Sequence, residues 1–256
     1  MAMVLSAHES GEVQLSPRPG MIRLSDEARP WYTGAIGERR VGKVLAELGP
    51  EWTVLHSVPV GKGTSDIDHV VIGQAGVFTI NTKHHPGKSV WIGGKGMRVG
   101  GHKVPYIRNA THEAERAATL LSTASGITVP VTSVITLVGV GDIVTKRAPD
   151  GGNNALHIVT ERRLLRTLTT RPVLSVEQVQ RIVDAAVLPG TWHTSPETAA
   201  DGAAINSAFD ALHSGVAVMD AHIRRRAYWV GLAKGIVPIM ALLGASAVLY
   251  WWMSTH

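Results

Sequence analysis

Apolar positions along this chain recur at two periods, and the switches between them lay out an ordered set of helices and strands. Over residues 37–48, Val41, Val44, Leu45 and Leu48 fall on one helical face, and Gly49-Pro50 ends the helix. Residues 52–60 read as a strand. A hairpin follows over 66–83, in which Val70, Val71 and Ile72 face Val77, Phe78, Thr79 and Ile80 across Gly73-Gln74-Ala75-Gly76. Residues 89–93 form a short strand, and 97–106 a strand pair broken by glycines. Helical spacing returns over 109–122 through Ala110, Ala114, Ala117, Ala118 and Leu121. The β-branched run 129–140 predicts a central strand. Strands at 142–146 and 156–159 and helices at 160–168 and 175–187 complete a mixed α/β domain over residues 31–188, with loop-rich stretches at 150–154 and 188–201.

The hairpin carries polar groups where its pattern calls for apolar ones. Pairing Ile72 with Val77 also pairs Asp68 with Asn81 and Asp66 with Lys83. Side chains alternate along a strand, so these four share one face at the open end of the hairpin. One reading is a cross-strand salt bridge between Asp66 and Lys83; the other is a built site. Glu38 joins the question, because it lies three residues before Val41 and therefore on the apolar face of its helix. A carboxylate there needs a cation, or the helix N-terminus, to stabilise it.

The two ends of the chain differ. Residues 1–30 contain Pro17, Pro19 and Gly20 and no long apolar run, and are expected to be a flexible leader. Residues 235–252 contain no charge, and the stretch 228–252 has Lys234 alone. Twenty-five helical residues span roughly 37 Å, enough for a ~30 Å hydrocarbon core. Aromatic residues at 228–229 and 250–252 stand where interfacial belts belong, and Arg224, Arg225 and Arg226 precede the run. The expectation is a single-pass C-terminal transmembrane helix in the lipid bilayer, with the N-terminal domain cytoplasmic. Within the linker and juxtamembrane stretch 189–227, Ile205, Phe209, Leu212, Val216, Met219 and Ile223 form an a/d seam. Residues 205–223 could therefore join two copies as a homodimer, or pack on the domain.

Composition narrows the chemistry. Apolar residues make up 45% of the 256, enough to fill a core, and the absence of cysteine excludes disulfides and thiolate metal sites. The net charge of +5 suits an anionic partner. It is unevenly spread: residues 82–112 contain no Asp or Glu but hold Lys83, Lys88, Lys95, Arg98, Lys103 and Arg108. With the glycines at 93, 94, 96, 100 and 101, this stretch is expected to bind a nucleic-acid backbone without base specificity, through Lys88, Lys95, Arg98, Lys103 and Arg108. The alternative is a solvated basic hairpin.

Gly37-Glu38 opening a helix, then Ile67-Asp68-His69-Val70-Val71-Ile72-Gly73, then Gly76-Val77-Phe78-Thr79-Ile80 followed by Lys83 and Gly87, resembles the nuclease-related domain, NERD. That family is assigned to the PD-(D/E)xK superfamily, which implies a restriction-endonuclease-like mixed sheet flanked by helices. The resemblance covers residues 31–122 well and the following strands loosely. It implies a catalytic set of Glu38, Asp68, Asn81 and Lys83, with Asp66 as second choice for Asp68. It also implies a Mg²⁺ or Mn²⁺ site formed by Asp68, Asn81 and the backbone carbonyl of Thr82. Its partner would be nucleic acid, DNA ahead of RNA. Such cations want hard oxygen ligands and lower the pKa of a bound water, while a neighbouring lysine orients the attacking water.

The departure is Asn81, where the family pattern has an acid. One missing charge at ~4 Å and an effective dielectric near 20 costs a cation on the order of 4 kcal/mol. Two functions follow. One is a membrane-anchored nuclease-related protein that binds nucleic acid and hydrolyses phosphodiesters. The other is a catalytically silent binding or scaffolding module.

Overall fold

The computed structural model describes residues 14–15, 21–60, 66–152, 155–192 and 207–232. The chain divides into two compact units, Tyr32–Ala200 and a second made of Met1–Trp31 with Asp201–His256.

The larger unit is built on a five-stranded mixed sheet. Strand β3 (Thr53–Pro59) pairs antiparallel with β4 (Asp66–Gly73), and β4 with β5 (Gly76–His84). Strand β5 is central, and it runs parallel to β9 (Val131–Val138), which runs parallel to β11 (Leu156–Thr160). The β-branched run thus lies inside the sheet, between two parallel neighbours. Strands covered on both faces need no polar alternation, and β4 and β9 are buried along almost their whole length.

Helices cover both faces. On one, Val70, Ile72 and Val77 pack against Ala114, Ala117 and Leu121 of α2 (Tyr106–Ser125), Ile182 and Ala186 of α4 (Val176–Ala186), and Trp192 of α5 (Pro189–Trp192). On the other, Val71, Phe78 and Ile80 pack against Val41 and Leu45 of α1 (Ala28–Leu45) and Leu164 and Leu168 of α3 (Leu164–Leu168). Trp192 is 5% exposed, so the core reaches past residue 188 into a stretch expected to be loop. A smaller sheet, ordered β10 (Ile143–Arg147), β6 (Val90–Gly93), β7 (Gly96–Val99), β8 (His102–Val104), lays Val90, Ile92, Met97 and Val99 against Ile107 and Ala110 of α2.

Helix α1 begins nine residues before the expected start at Gly37. The Ser25 hydroxyl accepts the Ala28 amide at 3.1 Å, a side-chain cap whose signal lies upstream of the apolar stripe. Glu38 therefore sits well inside the helix, and stabilisation by the helix N-terminus does not apply to it. Helix α4 starts as expected, capped by a reciprocal Ser175–Gln178 box.

In the second unit, the described part of the expected leader pairs β1 (Gln14–Leu15) with β2 (Ile22–Arg23), and Leu24 is buried. Residues 207–232 are helical. Phe209, Leu212 and Val216, half of the a/d seam, are buried within the chain, and Ile22 lies over Gly215. This burial lies within the second unit, and it tests neither the homodimer nor packing on the domain; Ile223 is half exposed, and Ile205 lies outside the described residues. Most of the span expected over 228–252 also lies outside them, and among the described residues no helix is long and apolar enough to cross a membrane.

Candidate active site

The site grows from the end of the β4–β5 ladder. The pairing runs in the expected register from Gly73 with Gly76 to His69 with Ile80, and there it stops. Asp68 continues it by other means: its carboxylate accepts the backbone N–H of Thr82 at 2.6 Å. Burial pushes the Asp68 carboxyl up to about 6, with Glu38 and Asp66 pushing the same way and Lys83 and the Thr82 amide opposing.

Asn81 stands beside it on the same face, 7% exposed. Its amide nitrogen donates to the carboxylate of Glu113 at 2.7 Å. Its carbonyl oxygen Oδ1 is buried with no hydrogen-bond partner. Helix α2 thus brings a carboxylate to the place where the strand lacks one. Burial raises the Glu113 carboxyl; the Asn81 hydrogen bond lowers it, and Asp68 raises it further.

Lys83 forms no ion pair with Asp66, so the salt-bridge reading of the hairpin fails. Its ammonium lies 5.1 Å from the ring centroid of Tyr106, the first residue of α2. Tyr106 is itself held by His85, whose ring stacks on it and whose Nε2 meets the phenol oxygen at 2.9 Å. Burial, then Lys83 and His84, lowers the His85 pKa. His84 turns the other way and donates Nδ1–H to the Thr33 carbonyl at 2.8 Å, so the adjacent histidines form no common site.

Glu38 approaches from α1. Burial raises its carboxyl, Asp66 adds to the rise, and Lys83 lowers it. The close approach depends on Gly37, where an added Cβ would stand 2.6 Å from the His84 Cβ and 3.2 Å from Thr82 Cγ2. The carboxyls of Glu38, Asp66, Asp68 and Glu113 thus act on one another through space, and Lys83 is the side-chain cation that counters them. Among the described residues, no group of three or more His, Cys, Asp and Glu is arranged to hold a metal ion. The oxygen donors gathered here are mixed instead: two carboxylates, Asp68 and Glu113, and the free amide oxygen of Asn81. Thr82 contributes its N–H to Asp68, and its hydroxyl is buried without a partner.

A cleft of about 650 Å³ runs beside α2, lined by Asp66 and Glu113 together with Lys95, Arg108, His112 and Arg116. It gathers two of the five basic residues expected to bind phosphate, Lys95 and Arg108. Lys88, Arg98 and Lys103 do not line it. Arg98 and Lys103 are paired across β7 and β8 and are exposed on the small sheet. Sequence reasoning missed Glu113, Arg116 and Tyr106. Glu113 had the same signal as Glu38: it is three residues after Ala110 and four before Ala117, at the margin of an apolar stripe. Tyr106 had none, because only the fold brings it under Lys83.

The comparisons bear on the same stretch. Residues 33–138 match the nuclease-related domain, NERD, so the part of the chain that carries Glu38, the β4–β5 hairpin and Glu113 is similar to that family. An uncharacterized protein of Bacillus anthracis is 41% identical over 69 residues, 25% of this chain and 31% of that protein. The match thus spans about a third of the relative's length. No solved structure gives a significant match.

Proposed function

We propose that this nuclease-related domain is a metal-dependent phosphodiesterase acting on nucleic acid, in which Glu113 of α2 supplies the carboxylate that Asn81 lacks. The observation that carries the reading is the Asn81–Glu113 hydrogen bond beside Asp68 and Lys83. Two carboxylates and a free amide oxygen form a donor set suited to a hard cation such as Mg²⁺ or Mn²⁺. Asp68, Glu113, Asn81 Oδ1 and the Thr82 carbonyl would hold it. When bound, a divalent cation neutralises charge on the scissile phosphate and makes water a better nucleophile. The chain's own residues do the rest. The Thr82 amide fixes Asp68, and the Asn81 amide fixes Glu113. Lys83, held over Tyr106, orients the attacking water and balances developing negative charge. Glu38 adds to the negative potential that draws the cation in, and Lys95, Arg108 and Arg116 engage the phosphates flanking the cut.

This arrangement extends the resemblance to the restriction-endonuclease-like fold, with DNA ahead of RNA as substrate. The charge-free run at 235–252 and the arginines before it support membrane attachment with the domain on the cytoplasmic side. The deciding experiment incubates the chain with single- and double-stranded DNA and RNA in Mg²⁺, in Mn²⁺ and in chelator. Metal-dependent cutting abolished by Glu113→Gln supports the reading. Binding without cutting under every condition supports the rival, a silent binding module whose Asn81 marks the lost acid.

A further inference from the structure

The small sheet presents an exposed cross-strand row. Val144 of β10 pairs with Trp91 of β6, Trp91 with Arg98 of β7, and Arg98 with Lys103 of β8. All four side chains are exposed, Trp91 to 37% and Val144 to 45%. The indole extends along its strand over a floor made of two paired glycines. A Cβ on Gly93 would meet indole Cζ2 at 2.8 Å, and one on Gly96 would meet Cζ3 at 3.7 Å. The glycines therefore let the ring lie down on the sheet with its other side toward solvent. Arg98 is steadied by its own hydrogen bond to the Gly101 carbonyl at 3.3 Å. The strands on either side bring positive charge, since residues 82–112 hold no acid and β10 carries Lys146 and Arg147; the acid at this turn is Asp150, 3.9 Å from Lys95 in an exposed pair.

We infer that this face binds single-stranded nucleic acid, with an unpaired base stacked on Trp91 and the adjoining phosphates on Arg98 and Lys103. An aromatic ring lying flat on a sheet, flanked by cations, offers a base its π-face and a backbone its counter-charge. A duplex keeps its bases stacked on one another and cannot use the ring. The position favours the same polymer as the cleft, because the turn that floors the indole also carries Lys95, which lines the cleft. A strand leaving the cleft past Lys95 meets Trp91 next. The assignment deepens the nuclease reading by naming an unpaired strand as its substrate class. It also explains Arg98 and Lys103, which the cleft leaves unused.

The test measures binding of the full chain to fluorescent oligothymidylate of about 12 nucleotides, to an abasic strand of the same length, and to a duplex. Chelator is present throughout, so a dead metal site does not affect the result, and cleavage is scored separately in Mn²⁺. Trp91→Ala should lose roughly tenfold in affinity for oligothymidylate, the worth of one stacked base, and nothing for the abasic strand. Trp91→Phe should retain most of the affinity. Arg98→Ala should weaken all single strands alike and reduce the salt slope by about one. Gly93→Ala, which lifts the ring, should mimic Trp91→Ala. If Trp91→Ala leaves oligothymidylate binding unchanged, or weakens the abasic strand equally, the platform is refuted. Tighter binding to duplex than to single strand, or to anionic vesicles than to either, overturns it too. Cleavage of duplex alone with intact Trp91-dependent binding would separate the platform from the cutting site.

Discussion

The β4–β5 hairpin buries polar groups on both of its faces, and it treats them in opposite ways. On the α1 face, His56 and His69 meet edge to face with Nδ1 atoms 2.7 Å apart. Burial lowers both pKa values, that of His69 to about 3. One ring donates to the other through this contact, and only His69 Nε2 is left buried without a partner. On the α2 face, Asp68 and Glu113 are part-buried beside buried Asn81, their hydrogen-bond donors satisfy only part of their capacity, and their mutual repulsion remains. The first arrangement is what a core does with polar atoms that only have to be tolerated. The second would be stabilised by a cation, which is why the proposed chemistry is assigned to that face.

The comparison can be broken most directly at Asp68. Asp68→Asn keeps an acceptor for the Thr82 amide but removes the charge. It should lower metal-dependent cleavage on the order of a thousandfold, the upper scale for one preorganised charge-stabilising group. The same substitution should stabilise the metal-free fold. The folded pKa of Asp68, about 6, lies above its ordinary 3.8. Its penalty is therefore absent below pH 3.8, grows between 3.8 and 6, and is complete above 6. That shift corresponds to up to about 3 kcal/mol at neutral pH. His69 has the opposite sign: its folded pKa lies below the ordinary 6.5, so stability falls as pH drops from 6.5 toward 3. Thermal melts in chelator from pH 4 to 8 should show Asp68→Asn removing a loss on the neutral side and His69→Gln removing one on the acid side. Coincident profiles would dissolve the contrast.

A charge exchange comes next. Glu113→Gln should cost on the order of a hundredfold in cleavage. Asn81→Glu alone places two carboxylates side by side, so it should destabilise the metal-free chain and regain stability with Mn²⁺. The double variant Asn81→Glu, Glu113→Gln returns the acid to the strand and should recover most of the activity lost in Glu113→Gln. If calorimetry finds no gain in Mn²⁺ affinity on moving from Glu113→Gln to the double variant, the two positions do not share one ligand role.

Smaller effects should separate support from chemistry. Tyr106→Leu removes the ring beneath Lys83 and should reduce kcat about fivefold, the worth of one cation–π contact of about 1 kcal/mol, with little change in Mn²⁺ affinity. His69→Gln should change the neutral-pH melting free energy by about 1 kcal/mol and leave cleavage unaltered. A large loss of activity in His69→Gln would show that the two faces are not independent.

Residues that act through strand register were legible in the sequence. Asp68 and Asn81 were placed on one face because the turn at residues 73–76 fixes the pairing, and Ile72 does meet Val77. The order of elements followed from periodicity for the same local reason. Helix starts were less accessible: the α1 cap at Ser25 lies upstream of Pro30 and Gly34, which break a helical reading, and far from the stripe that begins at Val41. Glu113 and Tyr106 depend on how α2 lies across the sheet, a tertiary choice that no spacing encodes. The basic stretch looked like one surface because its residues are consecutive. The strands split it, Lys95 and Arg108 to the cleft, Arg98 and Lys103 to the outer face of the small sheet.

The close approach at Gly37 has a consequence for how this chain can change over generations. A methyl group there would meet a Cβ atom and a methyl of two neighbouring strand residues, not the pliant tip of a long side chain. Position 37 therefore cannot drift first; room must appear at His84 or Thr82 before a larger residue is tolerated. One turn earlier, Gly34 has nothing within 4 Å of an added Cβ and is under no such constraint. A saturation library should show position 34 accepting most small residues singly, and position 37 accepting replacement only in clones that also carry a change at 82 or 84.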